Sequence, residues 1–166
     1  VDTYLGPEMK STGEVMGSDR QLDKALYKAF EASGLHLPEY GAVLFTIADE
    51  TKEEALELAK RFTEIGYSLI GTKHTAAYFE KHGLVVETVA KISEEAAEKN
   101  VVDLIRDGKT QVVVNTIDKD RGNASKDGFI IRREAVEHGI PLFTSLDTAD
   151  AIVRVMESRA FSTNPI

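Results

Sequence analysis

The sequence contains no cysteine and no tryptophan, and only four of its 166 residues are proline. The absence of cysteine excludes disulfide bridges, thiol nucleophiles and thiolate metal sites, and it is compatible with a reducing cytoplasm. No apolar run approaches the roughly 20 residues that a membrane-spanning helix needs, and no stretch has the pattern of a signal peptide. We therefore expect a cytoplasmic protein without a membrane partner.

Positive charge is also scarce. The chain has 20 Lys and Arg against 28 Asp and Glu, which gives a formal net charge of −8 at pH 7. This balance argues against a general nucleic-acid surface, but it allows a small anionic ligand held by a few local lysines. The length and the hydrophobic fraction of 42% suit one domain with a sizeable core.

Strand-like and helix-like segments alternate along most of the chain. Short apolar runs end at polar or glycine turns and are followed by amphipathic stretches with helical spacing. The predicted strands are Gly41–Ile47, Tyr67–Ile70, Leu84–Val89, Gln111–Val114 and Ile140–Phe143, and the predicted helices are Asp19–Ala32, 52–65, Ala76–His82, Glu94–Arg106, Phe129–His138 and Leu146–Arg159. This alternation predicts an α/β fold of three layers, with helices on both faces of a five-stranded parallel sheet.

The stretch Gly66–Thr75 joins a predicted strand to a predicted helix. We expect Gly71 to end the strand and Thr72 to cap the helix, which puts Lys73 in the first turn. A cation there opposes the positive end of the helix dipole, and a bound anion between them would explain it. An ordinary capped helix with a solvated lysine is the alternative, and these residues leave both open.

Lys52 repeats this placement after the first strand, where Thr51 and Glu54 have the spacing of a capping box. Ligands of parallel sheets bind beyond the carboxyl ends of the strands, where the strand order reverses. The loops expected at that edge begin at Thr46, Thr72, Lys91 and Asn115, and they are rich in lysine, hydroxyl and amide groups. Such groups suit holding a phosphate, and because candidate bases are few, binding is favoured over catalysis.

Several motifs together resemble one known family. The stretch LGPEMKSTGEVMGSD at Leu5–Asp19 resembles the junction that ends the second ATP-binding half of the large subunit of carbamoyl-phosphate synthetase. The motifs VLFTI…TK, GTKHT, VAK, VVNT and FIIRREAVEHGIPLFTSLDTA resemble the carboxyl-terminal regulatory domain of that subunit, whose fold is shared with methylglyoxal synthase. The resemblance covers nearly the whole chain, so we treat the chain as a piece of a longer polypeptide.

The resemblance implies a sheet order of 3-2-1-4-5, a junction segment at residues 1–18, a regulatory domain at 19–160 and a disordered tail at 161–166. It implies a nucleotide effector such as UMP, phosphoribosyl pyrophosphate or IMP, which controls carbamoyl phosphate synthesis for the pyrimidine and arginine pathways. With Lys73 added from the predicted anion loop, the predicted effector-binding residues are Thr46, Lys52, Thr72, Lys73, Thr75, Lys91, Asn115 and Thr116.

Cofactors and partners follow from the same resemblance. The fragment itself is expected to hold no cofactor, no metal and no catalytic residue, whereas the parent protein uses ATP with magnesium or manganese. The implied partners are the remainder of the large subunit and the glutaminase small subunit. Nucleic acid is not expected as a partner, and a homo-oligomer is left open.

Methylglyoxal synthase, a lyase that acts on dihydroxyacetone phosphate, is the enzyme alternative. Its catalytic aspartate follows a Gly-Gly-Asp segment after the third strand, where this chain has KISEE at Lys91–Glu95. Its Asp-Pro loop after the fourth strand is replaced by Asn115–Asp118. The lyase interpretation therefore lacks its base. A module that only oligomerises is a third alternative, but it leaves the lysines and threonines unexplained.

Overall fold

Five short strands form one parallel sheet in the structure, a computed structural model that describes residues 19–34, 38, 40–90, 100–116 and 126–160. The strands are β1 Gly41–Thr46, β2 Tyr67–Thr72, β3 Val86–Val89, β4 Val112–Asn115 and β5 Leu142–Phe143. The helices are α1 Asp19–Ala32, α2 Lys52–Glu64, α3 Lys73–Lys81, α4 Val101–Arg106, α5 Lys126–Glu137 and α6 Leu146–Ala160. A 3-10 turn, Asp49–Thr51, leads into α2.

The strand order is β3-β2-β1-β4-β5, and every neighbouring pair is parallel. The α/β class and the order 3-2-1-4-5 are therefore confirmed. β3 lies at an edge of the sheet, which fits the polar Glu87 in its sequence. No helix in the described ranges is long and apolar enough to cross a membrane.

Helices pack on both faces of the sheet because each central strand is apolar on both sides. In β1, Val43 and Phe45 pack into the cluster that includes α1, α2, α3 and α6, whereas Ala42 and Leu44 pack with α4 and α5. Successive side chains of a strand point to opposite faces, so a continuous apolar run is what a sheet covered on both sides requires.

Aromatic rings fix α2 and α3 against β1. The ring centroid of Phe45 lies 6.0 Å from that of Phe62 in α2 and 5.3 Å from that of Phe79 in α3, both in edge-to-face geometry. Such pairs add about 0.5–1.5 kcal/mol each to the burial of apolar area. This packing holds the two helices that begin at the carboxyl ends of β1 and β2.

Ion pairs join neighbouring helices on each face. Arg61 of α2 pairs with Asp150 and Glu157 of α6, and the hydrogen bond to Glu157 is the main reason that the pKa of Arg61 is raised. On the other face, Arg106 of α4 pairs with Glu134 of α5. The ion pairs of Arg61 and of Arg106 therefore help to set the position of the helices in their layers.

The prediction that Gly71 ends the second strand was wrong. Gly71 lies inside β2, which continues to Thr72. α3 begins at Lys73, as the expected N-cap position of Thr72 implies, and so three residues before the predicted segment Ala76–His82. A Cβ atom at Gly71 would lie 3.2 Å from the backbone nitrogen of Ala76, so the glycine lets α3 fold closely onto β2. Here glycine serves a close approach rather than a turn.

Other element ends differ from prediction by a few residues. β3 and β5 each begin two residues later than predicted, β4 ends one residue later, and α5 begins three residues earlier. β5 is short because Pro141 has no N–H to donate and contributes only its carbonyl, which accepts from Val113 N at 2.9 Å. The predicted helix over residues 94–106 is described only from Val101, with a capping box formed by Asn100 and Asp103.

Four sequence-based assignments lie outside the described residues. They are the junction segment 1–18, the tail 161–166, the loop with Lys91, and the end of the segment Asn115–Asp118, from residue 117 onward.

Candidate functional site

The strand order reverses between β1 and β4. From β1 the chain continues outward to β2 and β3, and it returns to β4 on the other side of β1. The connections that leave β1 and β4 lead to opposite faces of the sheet, which opens a crevice between the two carboxyl ends. Thr46 is the last residue of β1, Asn115 is the last residue of β4, and the register pairs them directly. Two of the predicted site residues therefore lie on the two sides of this switch point.

Hydrogen bonds connect the β1 and β4 sides of the crevice. The hydroxyl of Thr46 donates to Oδ1 of Asn115. The amide of Thr116 donates to the carbonyl of Thr46 at 3.1 Å, and the hydroxyl oxygen of Thr116 accepts from the amide of Ala48 at 2.8 Å. The hydroxyl oxygens of Thr51 and Thr116 are 3.0 Å apart. The loop after β1 is thus attached to the end of β4 by side chains as well as by backbone.

The start of α3 forms a second wall of the crevice. Thr72 follows the last residue of β2 that pairs with β1, so it lies next to Thr46. Its hydroxyl donates to Oγ1 of Thr75 at 3.4 Å, and the same Oγ1 accepts from the amide of Ile47 at 3.3 Å. Thr72 and Thr75 are only 4% and 1% exposed. These hydroxyls therefore join the first turn of α3 to the loop after β1.

The three predicted lysines have different settings. Lys52 begins α2, and its side chain is 12% exposed, with Nζ 2.5 Å from Oδ1 of Asp49. Lys73 begins α3 and is exposed, as is His74 beside it. Lys91 lies outside the described residues. Of the two predicted lysines that the structure describes, Lys52 is thus the one whose side chain is mostly covered by protein.

The hydroxyls that were expected to cap α2 and α3 form hydrogen bonds with other groups instead. Thr51 and Thr72 stand at the N-cap positions, but neither side chain accepts from the first N–H groups of its helix. The predicted capping box of Thr51 and Glu54 was therefore wrong, because the 3-10 turn leads straight into α2 and directs the Thr51 hydroxyl to Ala48 O and Thr116. Thr51 thus contacts the residues of the candidate site, and the sequence analysis missed it because its spacing to Glu54 predicted a capping box.

The side chains at this edge suit one kind of chemistry. Hydroxyl, amide and ammonium groups, together with helix N-termini, bind the oxygens of phosphates and sugars. Within the described ranges, no three His, Asp or Glu side chains cluster as they would need to for a metal ion. The arrangement fits recognition of an anion and a polar ligand.

Residues 54–144, more than half of the chain, match the family model of the MGS-like domain. The chain belongs to this family. The matched region extends from the first turn of α2 through β5, so it contains the β2–α3 wall and the end of β4.

Two solved structures are similar to this MGS-like domain. Methylglyoxal synthase from Elizabethkingia anophelis NUHP1 has a TM-score of 0.55 and 19% identity, over 70% of this chain and 79% of that chain. ForH has a TM-score of 0.52 and 18% identity, over 72% of this chain and 80% of that chain. At these identities the likeness concerns the fold alone.

Proposed function

We propose that this MGS-like domain is the allosteric regulatory domain of a carbamoyl-phosphate synthetase large subunit. In this proposal a nucleotide-type effector, such as UMP, phosphoribosyl pyrophosphate or IMP, binds at the carboxyl edge of the sheet. The family membership supports the fold of such a domain. The link to the synthetase comes from the motifs at Leu5–Asp19 and along the domain.

One observation carries the binding part of the proposal. Five predicted site residues from three strand ends form one connected wall at the point where the strand order reverses. They are Thr46, Thr72, Thr75, Asn115 and Thr116. Lys52, whose side chain is 12% exposed, adds an ammonium at the start of the adjacent helix. Scattered structural threonines would not be expected to meet at the one place where this class of sheet binds ligands.

Each group has a role in the proposal that follows from its chemistry. Thr72, Thr75 and the N-terminal N–H groups of α3 hold the phosphate, because they offer donors at the positive end of a helix. Lys52 donates to phosphate or ribose oxygens. Asn115 can both donate and accept, so it suits the ribose or the base. Lys91, assigned from sequence, adds a second ammonium for the phosphate.

The regulatory part of the proposal requires two arrangements of the domain that differ in affinity for the effector. An effector that prefers one arrangement shifts the population and changes the neighbouring ATP-binding half. Coupling of this kind is typically about 1–3 kcal/mol and is reciprocal, so ATP-site ligands should change effector affinity by the same factor.

A lyase remains the second candidate because methylglyoxal synthase, an enzyme, has a similar fold. Against it, the chain has KISEE where the resemblance would require Gly-Gly-Asp. The described groups at the crevice are hydroxyls, an amide and Lys52, and the carboxylate that pairs with this lysine, Asp49, is 90% exposed. Removing a proton from a sugar phosphate needs a positioned base. Binding without turnover is therefore the better-supported function.

Titration calorimetry of the chain with UMP and with phosphoribosyl pyrophosphate tests the proposal. We expect saturable binding of at least one effector, and a loss of about 10- to 100-fold in affinity for Lys52→Met and Thr72→Val, since each removes a hydrogen bond to a charged group. Lys91→Ala tests the sequence-based assignment in the same way.

Thr110→Val is the matched control. Thr110 is also a fully buried threonine, but its hydroxyl donates to Ala42 O and Val112 O at the opposite edge of the sheet. We expect this variant to bind the effector like the wild type. Absence of any binding, or an equal loss for Thr110→Val, would contradict the proposal, and methylglyoxal formation from dihydroxyacetone phosphate would favour the lyase.

A further inference from the structure

Lys52 and Asp49 form an ion pair whose two members have very different surroundings. The side chain of Lys52 is 12% exposed, whereas that of Asp49 is 90% exposed, and the Nζ–Oδ1 distance is 2.5 Å. The side chain of Lys52 is therefore mostly covered by protein, whereas the side chain of its counter-ion is exposed to solvent. An anion that binds to Nζ of Lys52 must therefore compete with the carboxylate of Asp49.

The local sequence produces this pair by geometry. Asp49 opens the 3-10 turn and Lys52 is the next residue after it, so the two are three residues apart. A 3-10 turn has three residues per turn, which places side chains i and i+3 one above the other. Asp49 also supplies negative charge at the positive end of the α2 dipole, which offsets the unfavourable position of a lysine in the first turn.

We propose that Asp49 is a built-in competitor for the phosphate of the effector, and that it sets the effector affinity of the site. This inference rests on the proposed function. In the free protein the carboxylate of Asp49 is paired with the Nζ of Lys52. A bound phosphate, which carries about −1.5 to −2 charges near neutral pH, takes over the nitrogen and repels the carboxylate.

The exposure of Asp49 makes the exchange possible. A carboxylate that is already 90% exposed regains water when it leaves, and an ion pair with one exposed partner is held weakly. The pair is therefore strong enough to position Lys52 and weak enough to yield to a doubly charged ligand. Asp49 lowers affinity without contacting the nucleotide, so it is a tuning residue of the site.

The test is calorimetry with UMP on the wild type, Asp49→Asn, Lys52→Met and the double variant. We expect Asp49→Asn to bind UMP about three- to tenfold more tightly than the wild type, as the removal of one competing charge implies. The double variant should bind UMP no more tightly than Lys52→Met alone, because without the ammonium the carboxylate of Asp49 has nothing to compete for. Asp49→Ser, which keeps a short polar side chain at the turn, should show the same gain.

Glu53→Gln is the matched control for the change in charge. Glu53 is exposed and lies in the first turn of α2, one residue beyond Lys52. We expect its affinity for UMP to stay within about twofold of the wild type, because a screened surface charge contributes little. If the wild type binds UMP but Asp49→Asn and Asp49→Ser bind no more tightly, the inference is overturned and the proposed function stands. If neither the wild type nor any variant binds UMP, and the wild type also fails to bind phosphoribosyl pyrophosphate, the proposed function fails.

Discussion

Thr75 shows how a single side chain serves both the fold and the candidate site. It is fully buried, and its hydroxyl oxygen accepts a hydrogen bond from the amide of Ile47. Ile47 lies in the loop after β1, so this bond connects that loop to α3. A buried amide without a partner loses its hydrogen bond to water and gains none in return. Threonine at this position is therefore needed before any ligand arrives.

We predict that Thr75→Val lowers the free energy of unfolding by about 1–3 kcal/mol, because valine keeps the shape but leaves the Ile47 amide unpaired. Urea denaturation of the two proteins measures the difference. Thr88→Val is the control, since Thr88 is exposed on β3 and its change should stay within about 0.5 kcal/mol. Equal losses at both positions, or none at Thr75, would contradict this role.

The residues of the site were predictable in part. Thr46, Thr72, Thr75, Asn115 and Thr116 were assigned from sequence to one edge, and the structure brings them together. Their binding role stays a prediction. The direction of the Thr51 hydroxyl and the Asp49–Lys52 pair could not be predicted, because both depend on a 3-10 turn whose three residues also fit an ordinary helix start.

At the scale of elements, one bidentate ion pair joins α4 and α5 in addition to their apolar packing. Nε and an Nη nitrogen of Arg106 donate to the two carboxylate oxygens of Glu134, at 2.9 and 3.1 Å. The guanidinium holds the pKa of Glu134 below its usual range, and the nearby His138 and Arg133 add to this effect. A carboxylate with a lowered pKa in the folded state stabilises the fold only while it is ionised.

We predict that Glu134 contributes stability above the ordinary glutamate pKa of about 4.3, and that this contribution is lost as the pH falls through its lower folded pKa. The free energy of unfolding of Glu134→Gln should therefore fall less than that of the wild type between about pH 5 and pH 3. Chemical denaturation at several pH values measures the two curves.

Glu137→Gln is the control on the same helix, because Glu137 is exposed and its ion pair with Arg133 is longer, at 3.4 Å. Its curve should follow that of the wild type. Parallel curves for Glu134→Gln and the wild type would show that the pair with Arg106 carries no pH-dependent stability.

The existence and type of the elements followed from the sequence, whereas several of their ends did not. Apolar runs and helical spacing located five strands and the helices between them. The end of β2 was missed because glycine usually signals a turn. At Gly71 the glycine is instead needed inside the strand, because α3 approaches its backbone closely. The end of β4 was missed by one residue because Asn115 pairs with Thr46 on the neighbouring strand. Strand ends are set by such partners, which a single segment does not reveal.

At the scale of the whole molecule, the two edges of the sheet differ in how their polar groups are used. The amino edge has a cavity of about 280 Å³ lined by residues that include Arg106, Gln111 and His138. The Gln111 side chain accepts from Ala42 N and donates to Gly108 O, and Arg106 is paired with Glu134. Those groups hold the fold together, whereas the carboxyl edge gathers hydroxyls, an amide and Lys52 at the switch point.

Alternation of strands and helices was enough to predict a parallel sheet in three layers. It could not give the strand order, because several orders satisfy the same alternation, and the order came from the resemblance to a known family. Once the order is known, the reversal between β1 and β4 selects one edge and one crevice. The location of the site thus follows from topology, and its chemistry follows from the residues placed there.

Where the effector binds can be measured directly from the amide chemical shifts of the isotope-labelled chain, titrated separately with UMP, phosphoribosyl pyrophosphate and IMP. We predict saturable changes at the amides of the switch-point crevice, namely Ile47, Ala48, Thr72, Lys73, Thr75 and Thr116, while the amino-edge amides Gly108, Gln111 and Gly139 stay unchanged. Changes centred on the amino edge, or no saturable change anywhere, would contradict the central claim that this domain binds a nucleotide phosphate where its strand order reverses.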